Sequence, residues 1–292
     1  MRRQALKVHD SEVRSRVSVT SQSQNEPLES RLLLEMRVDQ TSYEDASARI
    51  VKWAQQRESR YVCAASVNNV IEAHASPVFR AAMNGADLIT PDGVPLVWGL
   101  RLLGCRNATR VYGPDLTKHL CSAAAEQGLS VGFYGGDPHV LAALTERAAE
   151  LWPGLKIHYA CSPPFRALTP EEDHRIVGDI NSSDARIVFI GLGTPKQDIW
   201  MAEHKPQLKA VTVGVGAAFD FIVGKKRQAP KIMQQAGLEW LFRLCCEPRR
   251  LWRRYLYRNP RFAVLFTLQL LKELPDHRPH WLPRLDRRTQ SK

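Results

Sequence analysis

A short loop between an apolar stretch and a helix start is the feature that most restricts how this sequence can fold. Residues 187–190 are apolar, as in a buried strand, and the loop Gly-Leu-Gly-Thr-Pro-Lys-Gln-Asp follows at 191–198. Glycine lets a ligand approach the backbone closely, and the N-terminus of a helix attracts negative charge. Lys196 and Gln197 add a cation and an amide donor. The loop therefore predicts a diphosphate site, such as a nucleotide would use, in an α/β protein.

Short apolar strands alternate with helical stretches along the rest of the chain. The periodicity predicts strands at 61–65, 87–90, 131–134, 156–160, 187–190 and 210–215, and helices at 43–57, 69–84, 93–103, 115–127, 138–152, 170–181 and 198–204. This alternation is typical of a Rossmann-like α/β fold, with a mainly parallel sheet flanked by helices. We assign it to residues 31–237. Residues 1–30 are polar and charged with little apolar content, and we predict that they are disordered.

Charge sets the C-terminal part of the chain apart. The net charge is +11, and residues 241–292 hold 13 Lys/Arg against 4 Asp/Glu, so the remainder is nearly neutral. Apolar and aromatic residues recur among the arginines at helical spacing, with breaks expected at Pro248 and Pro260. We therefore predict a basic amphipathic helical appendage over residues 238–292.

Three partners are open for this appendage. Aromatic residues between the arginines favour a membrane surface. A helix docked on the core with a solvated charged face is the main alternative. Nucleic acid is least favoured, because the body is nearly neutral and no nucleic-acid-binding motif is recognisable.

Cysteine spacing and hydropathy restrict the class of protein further. None of the six cysteines forms a C-x-x-C pair, so neither a zinc site nor a thioredoxin-type site is indicated. No secretory signal is recognisable, and the apolar run at 262–271 is too short to span a bilayer. We expect a cytosolic protein with reduced thiols.

Five predicted strand exits carry residues that can bind a ligand or react with it. Ligands collect beyond the carboxyl ends of parallel strands, so all five exits are expected to face one crevice. The candidates are Ser66 and Asn68 after 61–65, Asp92 after 87–90, Gly135 and Gly136 after 131–134, Gly191, Gly193, Thr194, Lys196 and Gln197 after 187–190, and Gly216 and Asp220 after 210–215.

Some of these candidates are also explained by local structure alone. Asp92 lies in a Pro-Asp-Gly turn and is either a helix cap or a catalytic carboxylate. Ser66 and Asn68 are either caps or ligand contacts. The pair Gly135 and Gly136 makes either a tight turn or a ligand cradle.

The charged candidates have two interpretations as well. Asp220 either pairs with Lys225 or Lys226 or accepts hydrogen bonds from a base or ribose. Arg110 is either an ion-pair partner or a phosphate clamp. Neither G-x-G-x-x-G nor G-x-x-x-x-G-K-[ST] occurs, so dinucleotide binding and P-loop chemistry are not indicated.

Taken together, the motifs resemble the WecG/TagA/CpsF family of glycosyltransferases. The matching stretches are 84–93 (NGADLITPDG), 110–116 (RVYGPDL), 133–136 (FYGG), 191–198 (GLGTPKQD), 214–221 (GVGAAFDF), 224–230 (GKKRQAP), 237–244 (GLEWLFRL) and 247–255 (EPRRLWRRY). The stretches occur in the family's order, and the match as a whole covers roughly residues 35–260. The resemblance implies inverting transfer of a sugar from a UDP-sugar to a polyprenyl-diphosphate-linked acceptor, in cell-surface polysaccharide synthesis.

This resemblance also implies the setting of the reaction. The protein would lie peripherally on the inner face of the cell membrane, use no metal and no cofactor, and have no nucleic-acid partner. N-acetylmannosamine, its uronic acid and glucose are all open as donor sugars, and a homo-oligomer is open as well. The rival interpretation is a non-catalytic UDP-binding subunit of a polysaccharide assembly complex.

Roles for single residues follow from the same resemblance. Asp92 matches the proposed general base. Ser66, where the family usually has Thr, and Asn68 would position the sugar or the acceptor. Thr194 and Gln197 would lie near the diphosphate and Asp220 near the uridine, while Asp198 stands where Glu is common. The arginines expected to reach over the active site are Arg249, Arg250, Arg253 and Arg254.

Overall fold

The computed structural model describes residues 28–273. Eight strands and thirteen α-helices run along this part of the chain. In order they are β1 Ser30–Leu33, β2 Met36–Asp39, α1 Tyr43–Gln55, β3 Arg60–Ala65, α2 Val67–Ala75, α3 Pro77–Asn84, β4 Leu88–Pro91, α4 Val94–Leu102, α5 Gly113–Gln127, β5 Ser130–Gly135, α6 Pro138–Leu151, β6 Lys156–Cys161, α7 Pro170–Ser182, β7 Ile187–Gly191, α8 Lys196–His204, β8 Val211–Gly214, α9 Ala218–Ile222, α10 Lys231–Gln235, α11 Glu239–Cys246, α12 Pro248–Trp252 and α13 Arg258–Glu273.

Six of the strands form one parallel sheet in the order β4-β3-β8-β7-β5-β6. Neighbouring residues of one strand point to opposite faces. On β7, Ile187 and Phe189 therefore join one buried apolar cluster, whereas Val188 and Ile190 join the other. A sheet covered by helices on both faces accounts for the continuous apolar runs of its central strands. The predicted α/β fold with a mainly parallel sheet is confirmed.

An N-terminal hairpin precedes this sheet and was not predicted. Strands β1 and β2 pair antiparallel, and Leu34 and Glu35 at the turn have φ of 49° and 73°. Such turns usually carry Asn or Gly, because other residues are strained at positive φ. Leu-Glu gives no such signal in the sequence. The prediction of disorder for residues 1–30 falls almost wholly outside the described residues, although Ser30 already belongs to β1.

The helix predicted over 69–84 is two helices. Ser76 ends α2 and caps α3, where its hydroxyl accepts a hydrogen bond from the Phe79 N–H at 3.3 Å. Pro77 then occupies the first turn of α3, where its missing N–H costs nothing.

The C-terminal helices are more continuous than the prolines suggested. Pro248 begins α12, and a π-helical turn, Arg253–Tyr257, joins it to α13. Pro260 lies inside α13 and does not break it. A proline ring conflicts with the carbonyl four residues earlier, here Leu256, which belongs to the π-helical turn with its i→i+5 pattern. The expected break at Pro260 is therefore wrong.

The last helix packs back onto the body of the protein. Phe262 and Phe266 are buried in the same apolar cluster as the strand residues of one sheet face. The Gln269 side chain accepts a hydrogen bond from the Leu34 N–H at 3.0 Å and donates one to the Leu32 carbonyl at 2.7 Å. The domain boundary at 237/238 stays a prediction. Within residues 28–273 no helix is both long and apolar enough to cross a membrane.

Candidate active site

A cleft lies at the carboxyl ends of β3, β4, β7 and β8. The space in this central cleft is about 890 Å³, which includes its solvent-open mouth, and its wall includes Ser66, Asp92, Gly193, Thr194, Gln197 and Gly216. A side cavity of about 630 Å³, also open to solvent, shares Ser66 and Asp92 with it and adds Asn68, Arg110, Trp240 and Tyr255. The structure therefore brings residues from four of the five predicted strand exits together around Asp92.

Asp92 is fixed by backbone contacts from two elements, β3 and α5. Its N–H donates to the Ala65 carbonyl of β3 at 2.8 Å, and its Oδ2 accepts a hydrogen bond from the Gly113 N–H of α5 at 3.0 Å. Its side chain is 22% exposed. The N-cap of the following helix α4 is Gly93, so Asp92 does not cap that helix. It contacts the start of α5 instead, across the cleft.

The electrostatic surroundings of Asp92 are mixed. Burial raises the pKa of Asp92 above its ordinary value. Arg110, the hydrogen bond from Gly113 and Arg243 act in the opposite direction, whereas Glu239 adds to the rise in pKa. Asp92 is therefore a partly buried carboxylate with two cations near it. Such a group can take a proton from a hydroxyl.

Arg110 contacts both Asp92 and Glu239. Its Nε donates to the Asp92 carbonyl at 2.6 Å, and its Nη2 lies 2.5 Å from Glu239 Oε2 and 3.9 Å from Asp92 Oδ1. The guanidinium also lies over the Tyr112 ring, 4.4 Å from its centroid. Of the two interpretations of Arg110, these contacts favour the ion-pair partner.

Gln197 joins the two glycine loops. It is 2% exposed, and its Oε1 accepts hydrogen bonds from the Gly193 N–H and the Gly216 N–H, both at 3.1 Å. These two N–H groups are therefore engaged within the protein and do not point at an anion. Gln197 acts here as the link that holds two walls of the central cleft at a fixed separation.

Asn69 is a site residue that the sequence reasoning missed. It is 2% exposed, and its Oδ1 accepts hydrogen bonds from the Ser66 N–H at 3.1 Å and the Ser66 hydroxyl at 2.9 Å. Its Nδ2 donates to Thr194 Oγ1 at 3.2 Å. The available signal was a polar side chain three residues after a capping Ser, the spacing of a capping box.

Three predicted glycines lie behind the cleft and do not line it. Gly135 and Gly191 pair in register across β5 and β7, and Gly135 has φ of +113°. A Cβ at Gly135 would lie 2.7 Å from the Gly191 carbonyl carbon, and one at Gly191 would lie 2.5 Å from the Phe219 ring. Gly136 faces the same ring at 3.3 Å. Close packing explains all three glycines without a ligand, because the Gly191 backbone lies against Gly135 and the Phe219 ring lies against Gly191 and Gly136.

Two charged candidates also lie away from the central cleft. Lys196 lines a separate cavity with Trp200 and His204. Asp220 pairs with Lys226, with 2.5 Å between Oδ2 and Nζ, which is one of the two interpretations that the sequence left open.

The C-terminal helices supply the cationic side of the site. Arg243 of α11 and Arg250 of α12 line the central cleft, and the Arg243 guanidinium lies 5.3 Å from the Phe221 ring centroid. Arg253 lines an adjoining arginine groove with Asn68, Thr194, Arg250 and Arg258. Arg243 had not been predicted, although it stands two helical turns before Arg250 in the sequence.

Neither of the other two predicted arginines can be assigned to the site. Arg249 is exposed and lines none of the cavities described here. The prediction for Arg254 concerns a side chain outside the described part of the structure.

Among residues 28–273, no three His, Cys, Asp or Glu side chains lie close enough together to hold a metal ion.

Comparison with known proteins defines the class of protein that carries this site. The model of the glycosyl transferase WecG/TagA/CpsF family matches residues 31–275, and the chain belongs to that family of enzymes. A relative from Bacillus spizizenii is 32% identical over 230 residues, which cover 77% of this chain and 84% of the relative. That relative is the N-acetylglucosaminyldiphosphoundecaprenol N-acetyl-beta-D-mannosaminyltransferase. The family resemblance read from the motifs is confirmed.

Proposed function

We propose that this glycosyltransferase moves a sugar from a UDP-sugar to a hydroxyl of a polyprenyl-diphosphate-linked sugar, in cell-surface polysaccharide synthesis. The observation that carries the proposal is the half-buried carboxylate of Asp92, held at the junction of two cavities and faced by cations. The name of the Bacillus relative specifies a lipid-diphosphate sugar as the acceptor and N-acetylmannosaminyl as the transferred group. It favours N-acetylmannosamine over its uronic acid and glucose as the donor sugar.

The proposed reaction uses the two cavities for two substrates. UDP occupies the central cleft, and the acceptor sugar enters the side cavity beside Asn68 and Asp92. The Asp92 carboxylate removes the proton of the acceptor hydroxyl while that oxygen attacks the anomeric carbon. A new carbon–oxygen bond forms on the face opposite to UDP, and the old bond to the β-phosphate oxygen breaks, which inverts the anomeric centre.

Charge stabilisation then falls to the C-terminal helices. The departing UDP carries negative charge that must be balanced in the cleft. Arg243 and Arg250 line this cleft and are able to make charge-assisted hydrogen bonds to phosphate oxygens. The N–H groups of Gly193 and Gly216 are already bound by Gln197, so the arginines carry most of this role in the proposal.

The surface of α13 supports a position at a membrane. Phe262 and Phe266 face the core, and the exposed side carries Val264, Leu268 and Leu271, which are 61%, 49% and 60% exposed. Their spacing of four and three residues places them on one stripe of the helix. A docked helix with a charged solvent face would not present this stripe. On the ground of this stripe we propose that the protein lies peripherally on a membrane, and the family resemblance implies its inner face.

The test measures UDP release from a panel of UDP-sugars with a short-chain polyprenyl-diphosphate sugar as acceptor. Acceptor-dependent release with one donor is expected, and Asp92→Asn should lower the rate by about 10²–10⁴-fold while UDP-sugar binding by calorimetry is retained. Asp115→Asn is the matched control, because Asp115 lies in the first turn of α5 and pairs with Lys118. Full turnover of Asp92→Asn would remove Asp92 as the base. UDP binding without turnover of any donor would favour the non-catalytic subunit.

A further inference from the structure

Arg258, the first residue of α13, joins the C-terminal helix to a candidate site residue. Its Nη1 donates to Asn68 Oδ1 at 2.8 Å and to the Asn68 backbone carbonyl at 3.2 Å. Its Nη2 lies 2.7 Å from Glu72 Oε2, one turn further along α2. The Arg258 guanidinium therefore binds both the side chain and the main chain of Asn68 through Nη1, while Glu72 binds its Nη2.

These contacts determine which way round the Asn68 amide is held. A guanidinium has donors and no acceptor, so the side-chain atom of Asn68 that faces it must be the carbonyl oxygen. That oxygen is then engaged, and the NH₂ group is what the Asn68 side chain offers to the side cavity and the arginine groove that it lines. Asn68 is thereby set to donate a hydrogen bond to an oxygen atom of the substrate.

The position of Arg258 is set by packing and not by a ligand. Phe262 and Phe266, one and two turns further along α13, are 6% and 7% exposed and lie in the main core. Gln269 ties the same helix to the N-terminal hairpin by two hydrogen bonds. A helix anchored in this way holds its first residue against α2 whether or not substrate is bound.

We propose that Arg258 is a positioning residue for sugar transfer, which acts through Asn68 by fixing its side-chain NH₂ toward the substrate. The identity of the substrate rests on the function proposed above, but the orientation of Asn68 does not. This role differs from that expected for the other arginines of the appendage, which would contact a phosphate directly. Glu72 restrains Arg258 and is not required to contact substrate.

Kinetics of single and double variants test this action through Asn68. Arg258→Met should lower kcat/KM for transfer about tenfold, the effect of one charge-assisted hydrogen bond, and Arg258→Lys should recover most of the loss because it keeps a donor. In an Asn68→Ala background, Arg258→Met should have no further effect. Equal and independent losses from the two changes would overturn the proposal.

Two variants separate this role from general effects of the helix. Glu72→Gln leaves the contact between Arg258 and Asn68 in place and should lower kcat/KM less than twofold. Arg261→Met removes an exposed arginine from the same helix and should change nothing. An effect of Arg261→Met as large as that of Arg258→Met would show that helix charge, and not Asn68, is responsible.

Side-chain NMR tests the orientation of the Asn68 amide without a substrate. The ¹H–¹⁵N pair of the Asn68 amide, assigned by its disappearance in Asn68→Ala, should shift in Arg258→Met and stay in place in Arg261→Met. An unchanged Asn68 pair in Arg258→Met would overturn the proposal. If the wild-type enzyme turned over none of the substrates, the proposed function would fail while this measurement still tested the orientation.

Discussion

Replacing Asp198 by Asn should remove a pH-dependent cost to the stability of this protein. Asp198 lies in the first turn of α8 and is fully buried. Burial raises the pKa of Asp198 to about 6, against opposing contributions from Thr194, Cys63 and Gln197. Among the described residues, neither Asp198 carboxylate oxygen has a hydrogen-bond partner.

The size of the effect follows from the difference in pKa between the folded and unfolded chain. The unfolded carboxyl titrates near 3.8, whereas the folded one titrates near pH 6. The folded state thus binds the proton more tightly, so its stabilising contribution is complete below the unfolded pKa and is lost as pH rises through 6. A shift of about two pKa units corresponds to about 3 kcal/mol. Asparagine has no charge to bury, so this loss disappears in the variant.

Urea unfolding at pH 4, 5, 6 and 7 measures this difference. The free energy of unfolding of Asp198→Asn minus that of the wild type should increase by about 2 kcal/mol from pH 4 to pH 7, because the unfolded carboxyl is already more than half ionised at pH 4 and the rest of the change lies at lower pH. Asp179→Asn, on the exposed side of α7, is the control for the same change of residue at an exposed position. A difference for Asp198→Asn that stays constant with pH would refute the argument that burial dominates the titration of this carboxyl.

Three further predictions concern the site and the C-terminal helix. In the profile of kcat/KM against pH, the acid limb should lie at higher pH than the pKa of an exposed aspartate, because burial raises the pKa of Asp92 and the proposed base must be ionised to act. Arg243→Gln should move this limb to still higher pH, since Arg243 lowers the pKa of Asp92. An acid limb at the ordinary pKa of aspartate would contradict this prediction. Gln197→Met should lower the unfolding free energy by about 2 kcal/mol, since two hydrogen bonds to loop N–H groups are lost, and weaken UDP binding measured by calorimetry. Leu268→Glu should reduce co-sedimentation with anionic liposomes, with Thr267→Glu on the neighbouring exposed position of α13 as the comparison for added charge alone.

Local patterns along the chain predicted the sheet well, because each buried strand is a continuous apolar run between turn residues. The run at 187–190 marked β7, and the helix after it began at Lys196, close to the expected position. Patterns of this kind are local, so they place elements without stating their order in the sheet. The N-terminal hairpin was missed because Leu34 and Glu35 adopt a turn that their residue types do not favour.

Predictions for the site were weaker, because contacts between distant residues decide which side chains reach the cleft. The central cleft is lined by Asp92, Ser66 and Thr194, as expected. Gly191 does not line it, and the Phe219 ring from a different element leaves no room for a side chain there. No local pattern records that contact. Asn69 was missed for a similar reason, since its two partners lie at its own helix start and 125 residues further along the chain.

Resemblance to the family supplied roles that geometry alone did not. The role of base that we propose for Asp92 rests on the matched motif, whereas its hydrogen bond to the Gly113 N–H and its cationic neighbours appear only in the folded chain. Arg110 shows the reverse case. The sequence allowed a phosphate clamp or an ion pair, and its contacts to Glu239 and the Asp92 carbonyl favour the ion pair.

The order in which the chain is made has a consequence for this site. The last strand of the sheet ends at Gly214, but the cationic wall and the residue that holds Asn68 come from Arg243, Arg250 and Arg258. A chain growing on the ribosome therefore contains every strand of the sheet before it contains these three arginines. Under the proposed function, a chain that ends after β8 would lack cationic partners for a diphosphate, and it would not compete with the complete enzyme for its substrates.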